Sequence, residues 1–420
     1  SLKNGGLNTR LADVYGQDNV AREVSRYIKA IEVFNEKYGV SEISIFSAPG
    51  RSEIGGNHTD HQHGAVLAAA INLDAIAIVS FNDSNIIDLT SDMLAIKPVD
   101  ISVSEVIDEE AGTSEALIRG VASRMRELGC TIKGFNAYVT STVLGGSGLS
   151  SSAAFEVLIG TIISLGLNEG KIDAVEIAKV GQYAENVYFK KPCGLMDQMA
   201  SSVGGFVGID FLSTEKPIVE KVNFDFASTN FNLCIVDTKG SHANLTNEYA
   251  AIPNEMRSIA NYYGKDYLVE VDENQFYDDL GVLYANEDIS DRAIVRALHF
   301  FNETKRAKEE KEALQQKDFN KFLNIVQQSG NSSYKYLQNV FAASDVVNQG
   351  VSVGIAASER LLGDKGVVRV HGGGFAGTIQ AFVPDCLLED YKTMISNLFG
   401  DDACYVLKIR SYGGIEVIGK

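Results

Sequence analysis

Between Phe135 and Leu165 the chain passes from FNAYVTSTV, rich in β-branched and aromatic residues, through LGGSGLSSSAA (Leu144–Ala154) into an apolar run without proline. Few folds accommodate that order. The first stretch, Phe135–Val143, reads as a strand, and the run from Ser152 to Leu165 is too long for one and reads as a buried helix. Glycines between them let backbone approach a ligand closely, and the free N–H groups and dipole at the helix start favour an anion. The segment is therefore either a phosphate loop or an ordinary strand-to-helix turn with serine caps. No GxxxxGK[ST] pattern occurs, which argues against a P-loop nucleotidase. Gly372–Gly377 (GGGFAG) satisfies GxGxxG, yet the β-like TIQAFVP follows it, whereas a dinucleotide fingerprint opens a helix. It reads as strand, glycine turn, strand.

At 420 residues the chain exceeds what one core usually serves, so two domains are expected. The spacing of Val20, Val24, Tyr27, Ile28, Ile31 and Phe34 predicts a helix over Asn19–Tyr38 ended by Gly39. Strands are predicted at Ile43–Ser47 and Ala75–Phe81, with a turn at Pro49, Gly50 and Arg51. A change of composition at Asp210–Val222 (DFLSTEKPIVEKV) sets the expected boundary, giving an N-terminal domain over 1–215 and a C-terminal domain over 216–420. The second part reads as α+β: helical from Ile289 to about Tyr336, with KRAKEEKEALQQKDF as a solvated face, then short strands at VVRVH, TIQAFV, CYVLKI and GIEVI.

Charge and composition exclude several classes. A net charge of −18 repels nucleic acid and anionic membrane, so neither is an expected partner, and an anionic substrate must be met by local groups. No apolar run is read as reaching the roughly 18 residues of a membrane span. The opening SLKNGGLNTR lacks a leader pattern, and five cysteines are scattered without metal or disulfide spacing, so a cytoplasmic location with reduced thiols is expected.

Three of the six histidines fall in Asn57-His58-Thr59-Asp60-His61-Gln62-His63. Imidazole and carboxylate at close spacing suit a metal site. Equally, short donors and acceptors on a loop suit the hydroxyls of a polyol, with Arg51 facing a phosphate or carboxylate. A plain polar surface loop is the third reading.

Taken together, Ala48–Gly64 (APGRSEIGGNHTDHQHG), Gly146–Glu156 (GSGLSSSAAFE), Cys193–Gln198 (CGLMDQ) and Gly372–Gly377 resemble, in order, the motifs of the GHMP kinases and within them the galactokinase family. Asp237–Tyr249 and Ser329–Val340 extend the resemblance from about Ile45 to near the C-terminus. It implies a two-domain fold of mixed α/β and α+β class, with an N-terminal domain like ribosomal protein S5 domain 2 and a ferredoxin-like C-terminal domain, the site lying between them. It implies an ATP- and Mg2+-dependent kinase phosphorylating the anomeric hydroxyl of galactose, with sugar and ATP as small-molecule partners, acting as a monomer or alternatively a dimer. Carried over by position, Asp197 accepts or orients the hydroxyl proton and Arg51 holds Asp197 ionised. Gly146, Ser147, Gly148, Leu149, Ser150, Ser151 and Ser152 cradle phosphates, and Ser152 and Glu185 bind the metal. Asn57, His58, Asp60, Asp197 and Tyr249 contact the sugar.

Phosphoryl transfer needs in-line placement and neutralised charge, which a helix N-terminus, a divalent cation and an arginine can supply. This chain departs from the usual APGRVNLIGEHTDYNDG at several places. Asn57 stands where the family has a Glu that the resemblance assigns to the C6 hydroxyl, Glu53 where it has Asn, and His61 where it has Tyr. Because Asn would not repel a carboxylate at C6, galacturonate is the alternative substrate. A non-catalytic sugar sensor and a metal-dependent hydrolase built on His58, Asp60, His61 and His63 are the readings from other classes.

Overall fold

The computed structural model describes residues 5–39, 42–92, 95–143, 148–213, 216–241 and 243–418. Its first layer is an eight-stranded sheet. β1 (Ser44–Gly55), β2 (Ala65–Phe81), β3 (Ile86–Ser91), β4 (Val99–Asp100) and β5 (Phe135–Ser141) join β6 (Phe206–Asp210), β7 (Ile218–Val222) and the chain's last strand, β12 (Ile415–Ile418). The main path runs β12-β1-β2-β5-β3-β4, β6 and β7 extend from the far end of β2, and among the described residues only β3 and β5 pair in parallel.

Alternation along β2 divides the two faces. Ile76 and Ile78 pack under α1 (Asn8–Tyr15) and α2 (Val20–Tyr38). Ala75, Ala77 and Val79 face α3 (Ser114–Glu127), α4 (Ser151–Asn168) and α5 (Ala174–Tyr183), and α6 (Met196–Val203) packs on the β6 end. The α2 helix ends at Gly39, which takes the left-handed conformation (φ 59°) as a C-terminal glycine commonly does.

The second layer is a four-stranded antiparallel sheet of β8 (Phe231–Asp237), β9 (Val367–Val370), β10 (Thr378–Pro384) and β11 (Cys404–Leu407) in the order β11-β8-β10-β9. With α12 (Gly350–Leu362) and α13 (Leu388–Phe399) on one face, β8-α12-β9-β10-α13-β11 is the ferredoxin-like β-α-β-β-α-β arrangement. Between β8 and α12 the chain inserts α7 (Thr246–Tyr262), α8 (Glu273–Asp278), α9 (Leu280–Tyr284), α10 (Asp291–Gln315) and α11 (Phe319–Ser332). The α11 helix closes the other face of the second sheet, and α10 leans on β2.

Four expectations need correction. The segment at Pro49, Gly50 and Arg51 is no turn; it is a register shift inside β1, which continues to Gly55. The boundary at 215/216 does not separate the sheets, since β7 and β12 both join the first one. In the charged run of α10, Glu310, Ala307, Ala313 and Leu314 are buried, so this face is only partly solvated. Finally, α4 is by length and composition apolar enough to cross a bilayer, but 61% of that window is buried inside the protein, as befits a core helix.

A buried ionic knot fixes the C-terminal segment to the first layer. Asp74 accepts from Tyr15 Oη at 2.6 Å, Arg26 Nη1 at 2.6 Å and Arg410 Nη1 at 2.9 Å, and Ser47 Oγ also donates to it. Burial alone would raise the Asp74 carboxyl, but the two guanidinium groups and the hydroxyls hold it below its usual range.

Candidate active site

Three segments distant in sequence meet at one junction. Arg51 follows the β1 bulge, Ser150 stands at the α4 N-terminus, and Asp197 lies in the first turn of α6. Arg51 Nε donates to Asp197 Oδ1 at 2.8 Å and Nη1 donates to the Gly148 carbonyl at 2.5 Å, while Ser150 Oγ donates to Asp197 Oδ2. Backbone contacts hold the same junction, with Arg51 N–H donating to the Leu149 carbonyl at 3.1 Å and Ser201 Oγ to the Pro49 carbonyl at 2.6 Å. Gly50 is needed there, because a Cβ would stand 2.8 Å from the Leu149 carbonyl oxygen.

Ser150 caps α4 in the left-handed region (φ 60°), and its hydroxyl turns to Asp197 instead of to the helix, so no side chain caps the first N–H groups of Ser151 and Ser152. That leaves donors and the positive helix end free for an anion beside Asp197. Of the expected phosphate-loop residues, Gly146 and Ser147 lie outside the described residues. Gly148, Leu149, Ser150, Ser151 and Ser152 lie at this junction.

Burial would push the Asp197 carboxyl up, but Arg51's charge and hydrogen bond, with Ser150's, hold it below the ordinary range. The group is therefore ionised at neutral pH, and its side chain is 34% exposed, open to a reactant. An ionised carboxylate beside a helix N-terminus and a guanidinium can receive or orient a hydroxyl proton while phosphate sits alongside.

The histidine loop forms the adjoining wall. A Cβ on Gly194, three residues before Asp197, would come within 2.9 Å of Asp60 Oδ2, so Asp60 faces the same cleft. Burial raises its carboxyl above the usual range; His58 opposes that and Glu53 adds to it. The loop is clasped by the third glycine motif: Asn57 Nδ2 donates to the Gly372 carbonyl at 2.7 Å, and His58 Nε2 stands 3.0 Å from that of Gly373. Tyr249 Oη donates to the Gly374 carbonyl at 3.0 Å. His58, Asp60 and Tyr249 are thus brought to one rim.

Asn57 departs from its expected role. Besides Gly372, its Nδ2 donates to Glu53 Oε1 at 3.0 Å, while Oδ1 accepts from Ser333 Oγ at 3.2 Å and Asn339 Nδ2 at 2.9 Å. An amide has two donors and two acceptor positions. All are filled, the residue is fully buried, and nothing remains for a sugar. His63 stacks on Tyr267 at 3.6 Å. Among the described residues no group of three or more His, Cys, Asp or Glu side chains is arranged to hold a metal ion.

Glu185 sits in a π-turn (Ala184–Tyr188) after α5, and Gln198 Nε2 bridges its Oε2 at 3.0 Å to Glu156 Oε2 at 2.9 Å. Glu156 lies one turn beyond Ser152 on the same face of α4. Burial and the neighbouring Glu185 hold the Glu156 carboxyl well above its usual range, and Glu156 Oε1 is buried without a partner. Lys191 Nζ lies 3.5 Å from Glu185 Oε1.

Sequence reasoning missed several of these groups. Gln198 stood inside a quoted motif, and its side-chain amide was the available signal. Glu303 had none: on α10, remote in sequence, it accepts from the backbone N–H of Gly56 at 3.2 Å and of Asn57 at 3.3 Å, and from Ser329 Oγ at 2.5 Å. Although burial opposes it, His299, Arg306 and Arg369 bring its carboxyl down to about 2.

Comparisons with known proteins bear on family and fold. Residues 32–81 match the galactokinase galactose-binding signature, and residues 116–205 match the GHMP kinases N terminal domain. The galactokinase of Streptomyces coelicolor is 32% identical over 378 residues, spanning 88% of this chain and 92% of that protein. That of Actinobacillus pleuropneumoniae serotype 3 is 30% identical over 377 residues, with the same coverage. Among solved structures, Lactococcus lactis galactokinase complexed with galactose shares the fold with a TM-score of 0.77 at 22% identity, over 93% of this chain and all of that one. Methanococcus jannaschii mevalonate kinase does so at 0.61 and 16%, over 88% and 99%.

Proposed function

Because this chain belongs to the galactokinase family of the GHMP kinases, we propose that it transfers the terminal phosphoryl group of ATP to the anomeric hydroxyl of galactose. The observation that carries the proposal is the joining of Asp197, Arg51 and Ser150 at the uncapped end of α4. Phosphates lie on the α4 amides and the sugar lies against Asp60 and His58, with its anomeric hydroxyl toward Asp197. Asp197 takes up or directs that proton as the oxygen attacks. Arg51 keeps Asp197 ionised and offsets charge on the moving phosphoryl, so placement and electrostatics do the chemistry without a covalent intermediate.

Glu185 and Ser152 are the residues that would hold Mg2+. The donor chemistry fits: Glu185 is joined through Gln198 to Glu156, one of whose oxygens is buried without a partner, so carboxylate oxygens gather where a hard cation could be held together with phosphate oxygens. When bound, the cation supplies further neutralisation of the phosphate charge. The same proposal places the protein in the cytoplasm.

The galacturonate alternative assumed that Asn57 faces the sugar, and its saturated amide withdraws that support. The sensor reading has no observation in its favour, since Asp197 retains both its activating partner and an open face. ADP release measured over galactose, galacturonate, N-acetylgalactosamine, glucose and arabinose tests the proposal. Galactose should give the highest kcat/KM, and release indifferent to sugar would refute it.

A further inference from the structure

We propose that Glu53 is the residue that reads a non-anomeric hydroxyl of the sugar in this chain, and that it makes the pocket selective for neutral sugars over sugar acids. This rests on the kinase reading above and deepens it.

The backbone supplies the first part of the case. Register between β1 and β2 is unbroken from Arg51↔Ala70 through Ser52↔Ala69 to Glu53↔Ala68, so Arg51 and Glu53 project from the same face of the strand. Arg51 reaches Asp197 from that face, which puts Glu53 one strand repeat further along the wall of the same cleft. Its charge bears on groups at both ends of that wall, supporting the protonated forms of Arg51 and Asp60.

The second part concerns which oxygen is available. Glu53 Oε1 accepts from Arg369 Nη2 at 2.5 Å and from Asn57 Nδ2 at 3.0 Å. Among the described residues Oε2 accepts no hydrogen bond, and the side chain keeps 7% exposure. One oxygen is anchored and the other is left for a hydroxyl of the ligand. Asn57, whose position first suggested a sugar contact, serves as part of that anchor: its amide is pinned by Gly372, Ser333 and Asn339 and in turn pins Glu53. The carboxylate and amide of this pair thus occupy each other's places relative to the family signature, with the carboxylate on the strand and the amide on the loop.

An ionised carboxylate with one free oxygen accepts a hydrogen bond from a hydroxyl and repels another carboxylate. Arg369 is fully buried and bonded to Glu53, and Arg51 is held on Asp197 beside the phosphate site, so the charge that a sugar acid would meet on this wall is that of Glu53.

The test compares kcat/KM for galactose, the four monodeoxygalactoses at positions 2, 3, 4 and 6, and galacturonate, in the wild type, Glu53→Gln and Glu53→Asp. In the wild type at least one deoxy sugar should fall by roughly 10- to 150-fold, the range of a hydrogen bond to a charged group. In Glu53→Gln that penalty should shrink to about threefold or less, and galacturonate should gain on galactose by about tenfold or more as the charge is lost. Glu53→Asp, which keeps the charge, should still discriminate against galacturonate. The KM for ATP should stay within about twofold throughout, a readout that a merely structural Glu53 would not spare. Equal losses on every sugar in Glu53→Gln, with the deoxy pattern and the galacturonate ratio unmoved, would overturn the proposal. No sugar-dependent ADP release in the wild type would instead overturn the kinase reading, and this one with it.

Discussion

Replacing Arg51 by Met tests how the reaction centre is powered. Met retains the aliphatic stem of the side chain and removes the charge together with two donors, Nε on Asp197 and Nη1 on the Gly148 carbonyl. Hydrogen bonds from a charged group are worth about 1.5–3 kcal/mol each. The expected fall in kcat is on the order of 10²–10³, as for the loss of one preorganised donor at a developing charge. The pH profile carries the sharper information. In the wild type burial acts to raise the Asp197 carboxyl and Arg51 is the largest influence opposing it. Asp197 must be ionised to receive a proton, so activity is lost as pH falls through its pKa. Without Arg51 the pKa rises, and the acid limb of kcat/KM should move to higher pH. Arg51→Lys, which keeps the charge but not the fork, should lose rate while leaving the limb closer to the wild type. The assay is sugar-dependent ADP release from pH 4 to 9. An acid limb unmoved in Arg51→Met, or moved equally in both variants, would refute the assignment of Arg51 as the group that keeps Asp197 charged.

Other perturbations follow from the packing. Asn57→Ala leaves Glu53, Ser333 and Asn339 short of buried partners, so denaturant melts should show a loss of about 2–4 kcal/mol. A Cβ at Gly55 would stand 1.7 Å from Glu310 Oε2, so Gly55→Ala should cost about 3 kcal/mol or more, and Glu310→Ala in the same chain should recover much of it; strictly additive losses would contradict the contact. Arg410→Met removes one of the two cations on buried Asp74 and should cost about 3–5 kcal/mol at pH 7. Since the Asp74 carboxyl is depressed in the folded state, its stabilisation is present above its unfolded value near 4 and is lost as pH falls through the lower folded one. The gap between wild type and Arg410→Met should therefore narrow on acidification, and melts at pH 7 and pH 3 check it.

The parts of the fold legible in the sequence were those in which local pattern and tertiary demand coincide. The α2 stripe ended by Gly39, the apolar α4 after a glycine loop, and the strand-turn-strand around Gly372–Gly377 each express a period or a breaker that the structure keeps. What escaped depends on long-range pairing. Nothing local marks Ile415–Ile418 as a strand of the first sheet, because the choice of partner β1 is made by Arg410 reaching Asp74 and by a register no short window encodes. The run around Glu310 looks like a solvated helix face since its charges recur at helical spacing, yet β1 covers it and buries the carboxylate against Gly55. At the site, residue types located Arg51 and Asp60, while Asp197 came only with the family resemblance. They could not tell that Asn57 turns inward while Glu53 is anchored on Arg369, because side-chain direction follows strand register and the clasp of α10 and α11 behind the loop.

The claim on which the rest depends is that Asp197 receives the hydroxyl proton at a phosphate site built from α4 and Arg51. Asp197→Asn keeps the shape and removes the charge, so ATP binding by calorimetry and galactose-dependent ADP release should part company in this variant. The account predicts ATP affinity within a few-fold of the wild type and turnover reduced by about 10²-fold or more. Turnover at the wild-type rate by Asp197→Asn would contradict it.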